Sequence, residues 1–344
     1  MDEGKKRAEK MLKELEEKIS YEYYSAARET EEKLNKHLND FAHKDAVKRQ
    51  QLRSGFITPK EYNDWRVGQV MVGRRWEVLN EELVAVMNNA DKAAAELMDS
   101  HVKEVYATNR NYAEYSIDMA IGQHISEWTL YDKATVERLL LRNPNMLPDP
   151  TKRVLANVAA GRAQLWERRQ IQSVMLQGIL QGESIPKIAK RSRQELGESW
   201  YVEEIKNRNK KTARQVAREL ERKNRNAAIR NARTMTTSAE NAGRIDCFKQ
   251  AESIGINLQK TWLATDDSRT RRSHRDLDGE TVPIKEEFSN GLMYPADLAG
   301  APEEVYNCRC TLIADVNTSE TDSNIATGQS VDGMDFEDWE MMFE

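Results

Sequence analysis

Between residues 5 and 50 the apolar side chains Leu12, Leu15, Ile19, Tyr23, Ala26, Leu34, Leu38 and Phe41 recur at helical spacings of threes and fours in an otherwise polar background. That period lays one thin apolar stripe along a long helix. A helix with so narrow a stripe can bury only one side, so it folds by lying against a partner element. Composition agrees. Charged residues make up 32% of the chain and the mean hydropathy is −0.78, which suits extended helical arms better than one compact globule. At 344 residues there is room for two or three domains.

Ser54-Gly55-Phe56-Ile57 interrupts this first helix, and Thr58-Pro59-Lys60-Glu61 starts another. Thr58 is placed as N-cap, Pro59 at the first helical position, and Glu61 to close a capping box. The second helix is expected to reach about residue 115, carrying Trp65, Trp76, Leu79, Leu83 and Met87, and to form an antiparallel hairpin with the first. A short helix from Ala134 to Arg142 ends at a segment with Pro144, Pro148 and Pro150, the clearest linker in the chain. Residues 151–181 read as helix again, with Ile171, Val174, Met175 and Ile179 inward, and a small helix opens at Ser184. A basic helix over residues 205–252 carries the stripe Ala213, Val216, Ala217, Leu220 and Ala227, and stops at Gly255 as a C-cap. Short strands follow at Thr261–Ala264, Thr281–Ile284 and Thr311–Val316. The last 28 residues, rich in Ser, Thr, Asn, Asp and Gly, are expected to be disordered. The predicted architecture is mainly α with a C-terminal α+β module: helical arms over 1–143, a domain over 151–316 and an acidic tail over 317–344.

The net charge of −5 conceals an asymmetry. Residues 151–240 hold 20 Lys and Arg against 9 Asp and Glu, whereas residues 315–344 hold 9 acidic residues and no Lys or Arg. Different partners are implied for the two parts. Arg214, Arg218, Arg222 and Arg225 share one face of the basic helix and could neutralise phosphates of double-stranded DNA without reading bases. A solvated face is the plain alternative, because Glu219 and Glu221 dilute the stripe. The tail, ending in the acidic and aromatic stretch Phe336–Phe343, is expected to avoid DNA and to offer a docking peptide to a protein partner. No phosphate-cradling GxxxxGK[ST] or GxGxxG is present, which argues against a nucleotide-driven motor. No apolar run approaches 18 residues and the start MDEGKKRAEK has no apolar core, so no membrane partner and a cytosol-like compartment are expected. Three cysteines do not make a disulfide framework, and reduced thiols are the default there.

Chemistry concentrates between Trp262 and Leu312. Cys308 and Cys310 sit at i and i+2 of an extended segment, which turns both thiols to one side. Soft thiolates with an imidazole suit zinc, and His274 is the only histidine after His124. Asp267, Asp278 or water could supply a fourth ligand, with Cys247 a more remote option. Two other readings stay open: buried, inert cysteines beside a hydrogen-bonded His274, or a Cys–His nucleophile whose thiol is activated by Arg271, Arg272 and Arg275. Asp267-Ser268-Arg269-Thr270-Arg271 and Asp278-Gly279 read as turns, their arginines pairing with local aspartates or contacting phosphate.

Taken in order, Arg233-Thr234, the Glu240-Asn241-Ala242-Gly243-Arg244 block, Trp262, Asp267 with Arg269, Arg271 and His274, Asp278-Gly279, and Asn307-Cys308-Arg309-Cys310 resemble the phage Mu F-like head morphogenesis proteins. The resemblance covers roughly residues 151–316. Met235-Thr236 departs from the pattern, in which an acidic residue often follows Arg-Thr. The resemblance implies a minor head or minor capsid protein of a tailed phage, not an enzyme. Such a protein acts near the portal vertex in head assembly, DNA packaging or ejection, with portal or capsid proteins as partners. It implies residence in the virion, after assembly in the host cytoplasm. Some members carry an added toxin or enzyme domain, and the roughly thirty residues after Cys310 are too few for one. The rival expectation is a transferase or nuclease using the Arg, His and Asp groups of 266–278.

Overall fold

The Leu12-to-Phe41 stripe becomes one uninterrupted helix, α1 (Glu3–Arg53), with Leu15, Ile19, Tyr23, Ala26, Leu34 and Phe41 buried along one side. The structure is a computed structural model that describes residues 2–68, 74–151, 213–321 and 325–343. The helix expected over 151–181, the small helix from Ser184 and the start of the basic helix lie outside the described residues. Along the helix expected to reach about residue 115 lie α2 (Pro59–Gly68) and α3 (Arg74–Ile121), and residues 69–73 between them are outside the described residues. α3 runs past 115 until Gly122, whose φ of +84° ends it. Then come β1 (Gln123–Ile125), α4 (Lys133–Arg142), α5 (Ala213–Ser253), β2 (Leu258–Leu263) and α6 (Arg272–Asp276). The chain finishes with β3 (Thr281–Pro283), α7 (Pro302–Val305), β4 (Thr311–Val316), β5 (Thr327–Ser330), α8 (Phe336–Glu340) and a 3-10 turn over Met341–Phe343.

Two compact units result, neither a contiguous stretch of sequence. One comprises residues 20–93 and 152–226. In it α1 and α3 run antiparallel: the Tyr23 hydroxyl donates to Asp91 at 2.6 Å, while further along α1 Lys33 lies 3.5 Å from Glu82, earlier in α3. Phe41 stacks on Trp65 at 5.5 Å. The capping box forms as its residue types dictate. The Glu61 carboxylate accepts from the Thr58 amide at 2.8 Å and the Thr58 hydroxyl accepts from the Glu61 amide at 3.2 Å.

The other unit comprises residues 1–19, 94–151 and 227–344, and so includes the proline-rich segment, with Leu147 buried. Its sheet has the antiparallel order β3-β2-β4, with Trp262 opposite Leu312. β2 begins at Leu258, earlier than the pattern suggested, because Lys260 occupies an inward position between Leu258 and Trp262. Its ammonium survives burial by donating to the Met293 carbonyl at 2.8 Å and lying 5.1 Å over the Phe288 ring.

The expectation of a disordered tail that offers Phe336–Phe343 to a partner is overturned. β5 pairs with β1, and Val331, Phe336 and Trp339 are buried in this unit's own core with Ile117, Ile125 and Trp128. The buried carboxylate of Asp118 accepts from both indoles, Trp128 at 2.7 Å and Trp339 at 2.8 Å, and from the Ile125 amide at 3.1 Å. Arg7 meets Glu340 at 2.9 Å and lies 4.3 Å over Phe336. Acidic composition hid two buried aromatic anchors, Phe336 and Trp339, that order the segment.

Candidate functional site

Strand β4 lies at the sheet edge, and its outward backbone groups need partners. α5 supplies them from side chains one and two turns apart. The Thr234 hydroxyl accepts from the Asn307 amide at 3.1 Å, and the Thr237 hydroxyl donates to the Cys308 carbonyl at 2.8 Å. Thr311 donates its hydroxyl to Glu240 at 2.5 Å. Asn241, fully buried, accepts from the Leu312 amide at 2.8 Å and donates to the carbonyls of Cys310 and Pro295, each at 3.2 Å. Arg244 donates to the Leu312 carbonyl at 2.9 Å, while Asp2 holds its guanidinium through two bonds of 2.8 and 3.0 Å. One face of a helix thus stands in for a missing strand. Gly243 allows α5 to approach α3, since a Cβ there would lie 2.4 Å from the Tyr106 carbonyl oxygen.

The segment held this way carries the two thiols. Cys308 and Cys310 are 2% and 1% exposed and His274 is 2% exposed, and their donor atoms all lie within 4.8 Å of one another. His274 Nδ1 is 3.6 Å from the Cys308 sulfur and 3.5 Å from that of Cys310. On its other side Nε2 lies 2.9 Å from a Glu304 carboxylate oxygen, though poorly aligned for a linear hydrogen bond. Trp262 walls the imidazole edge-on at 5.3 Å. Hydrogen bonding from the Cys308 thiol and from His274 pulls the Cys310 thiol below its ordinary range, while that same shared proton and burial push Cys308 up. The pair therefore releases one proton readily and the second with difficulty.

The loops around the cluster are locked by the other motif residues. Asp267 forms a two-pronged ion pair with Arg309, one arm at 2.7 Å, and accepts from the Arg269 amide at 2.8 Å. The Arg309 guanidinium holds the Asp267 carboxyl well below the usual carboxylate range. Arg271 donates to the carbonyls of Tyr306 and Glu304. Lys5 and Thr265 both donate to the Arg309 carbonyl at 2.5 Å. Asp278 accepts from the Ala264 amide at 2.8 Å, and Gly279 turns the chain into β3 at φ +80°. Asn307 takes the left-handed conformation, φ +56°, that Asn tolerates better than most. Arg233 leaves the cluster and pairs with Glu16 at 2.6 Å.

Of the fourth ligands considered for a metal, Asp267 and Asp278 are spent on these contacts, and Cys247 is buried elsewhere on α5 beside Arg110 and Glu114. Glu304 escaped the sequence reading altogether, since an acidic residue in the first turn of a short helix looks like ordinary capping. Of the arginine stripe, Arg214, Arg218 and Arg222 are exposed, whereas Arg225 pairs with Glu221 and lies 5.2 Å over Tyr24.

A helix clasped along the edge of a small antiparallel sheet, gripping a Cys-Arg-Cys segment, defines an α+β clasp module. Residues 169–313 match the family described as Phage Mu protein F like protein. It is 40% identical over 89 residues to an NAD(+)–arginine ADP-ribosyltransferase of Enterococcus faecalis, across 25% of this chain and 18% of that one. It is 38% identical over 86 residues to the minor head protein GP7 of Bacillus phage SPP1, across 24% of this chain and 27% of that one. The chain thus spans about a quarter or less of the length of these relatives. No solved structure matches it. Among the described residues no helix is long and apolar enough to cross a membrane.

Proposed function

We propose that this chain is a minor head protein of a tailed phage, a virion component assembled in the host cytoplasm. It would act in head morphogenesis near the portal vertex, against portal or capsid proteins. The observation that carries the reading is the family match over residues 169–313, within which the motif residues build one clasp. The relative from phage SPP1 bears the name of a minor head protein, which supports the same role. Exposed Arg214, Arg218 and Arg222 support non-specific contact with double-stranded DNA during packaging or ejection.

An enzyme is the second reading, favoured by the name of the Enterococcus relative. Several of the groups it would use are already engaged: Asp267 by Arg309, Arg271 by backbone carbonyls, His274 by two sulfurs and Glu304. That engagement supports a structural role for the 266–278 segment. Quantitative mass spectrometry of purified particles, with gold labelling of a tagged copy, tests the proposal. A few copies per particle at one vertex are expected. A chain missing from particles that assemble normally without it refutes the head-protein role. Transfer of ADP-ribose to arginine by the purified chain would favour the enzyme instead.

A further inference from the structure

We propose that His274, Cys308 and Cys310 bind one zinc ion, with the imidazole Nδ1 and the two thiolate sulfurs as the protein ligands. This inference rests on side-chain geometry and not on the head-protein reading, which stands whether or not a metal binds.

Both sulfurs face the same ring nitrogen, at 3.5 and 3.6 Å. One in-plane lone pair can accept only one good S–H bond, so two equal distances are poorly explained by hydrogen bonding alone. A shared ion explains them directly. Tetrahedral zinc with bonds of about 2.05 Å to nitrogen and about 2.3 Å to sulfur sets its nitrogen and sulfur ligands about 3.55 Å apart. Soft sulfur with imidazole selects zinc over calcium or magnesium, which take oxygen ligands.

The surroundings are those of a metal ligand set. Glu304 lies 2.9 Å from Nε2, on the ring edge away from the sulfurs, where a carboxylate can orient a metal-bound histidine once Nδ1 carries no proton. The carbonyls of Tyr306, Cys308, Arg309 and Cys310 are each held by a side chain, from Arg271, Thr237, Lys5 with Thr265, and Asn241. The ligand strand is therefore set before any ion arrives, and Trp262 and the core exclude bulk water. Among the described residues no fourth His, Cys, Asp or Glu joins the group, so a water completes the tetrahedron. On binding, the ion displaces to solvent the protons that the two sulfurs and Nδ1 still carry, leaving two thiolates and a neutral imidazole with no change of oxidation state.

Elemental analysis of the full chain, purified without chelator and equilibrated with zinc, should give about one zinc per chain. Cys308→Ser and Cys310→Ser should abolish it, and Glu304→Gln should keep the ion but weaken binding about 10–100-fold. Where a cysteine variant fails to fold, cobalt loading of the unaltered chain is the second measurement. A sulfur-to-cobalt charge-transfer band with the intense visible bands of four-coordinate cobalt is expected. No bound metal, a cobalt spectrum without that sulfur band, or a Cys308–Cys310 disulfide in the isolated chain each overturns the proposal.

Discussion

Replacing Asn241 by alanine removes the side chain that serves as the outer neighbour of β4. The Leu312 amide loses its acceptor at 2.8 Å, and the carbonyls of Cys310 and Pro295 lose donors at 3.2 Å. Asn241 is 0% exposed, so water cannot replace it without opening the core. Leu312 faces Trp262 in the ladder, and Trp262 spends its own amide and carbonyl on Glu280 and Gly279, so β2 offers the orphaned amide nothing. An orphaned buried amide costs about 1–3 kcal/mol, and the two under-bonded carbonyls add to it. The expected loss is about 2–5 kcal/mol. Asn241→Asp should fare no better, because it keeps an acceptor for Leu312 but turns a buried anion toward carbonyl oxygens. Urea unfolding reads the midpoint shift, and hydrogen exchange at Leu312 reads the local edge. An alanine variant within about 0.5 kcal/mol of the parent, with the Leu312 amide still protected, would show that something else holds the edge and that the clasp is misread.

Three further outcomes are expected. Changing Arg214, Arg218 and Arg222 to glutamine should flatten the dependence of log K for DNA on log salt by about 0.9 per lost phosphate contact, roughly 2.7 in all; an unaltered slope removes these residues from the DNA interface. Trp339→Ala should take about 3–5 kcal/mol from the docking of the C-terminal segment, read as faster protease cleavage around residues 325–335, and unchanged cleavage contradicts the latch. Burial lowers the His101 pKa to about 4, with Lys18 adding to the shift, so between about 6.5 and 4 the unfolded chain binds the proton that the folded chain refuses. The contribution of His101 is thus present above about pH 6.5 and lost as pH falls toward 4, by up to about 3 kcal/mol; His101→Gln should abolish that acid loss, and an identical pH profile in the variant rules it out.

Short-range features were legible from the chain itself. The α1 stripe, the Thr58–Glu61 box, the Gly255 stop and the span of β4 each depend on residues within four or five positions, where local sequence leaves a visible record. The grouping of His274 with Cys308 and Cys310 could be guessed because those residue types are scarce in this sequence. Their close approach, however, is a product of folding. What sequence by itself determined, then, was where the long helices and the strands β2, β3 and β4 form and which residues carry unusual chemistry. Tertiary structure decided the rest: that Thr237, Asn241 and Arg244 replace a strand beside β4, that Glu304 stands behind His274, that Lys260 faces inward, and that an acidic tail is pinned by Phe336 and Trp339. These contacts link positions tens to hundreds of residues apart through single polar or aromatic side chains. Such partners follow no period, so only the folded backbone brings them together.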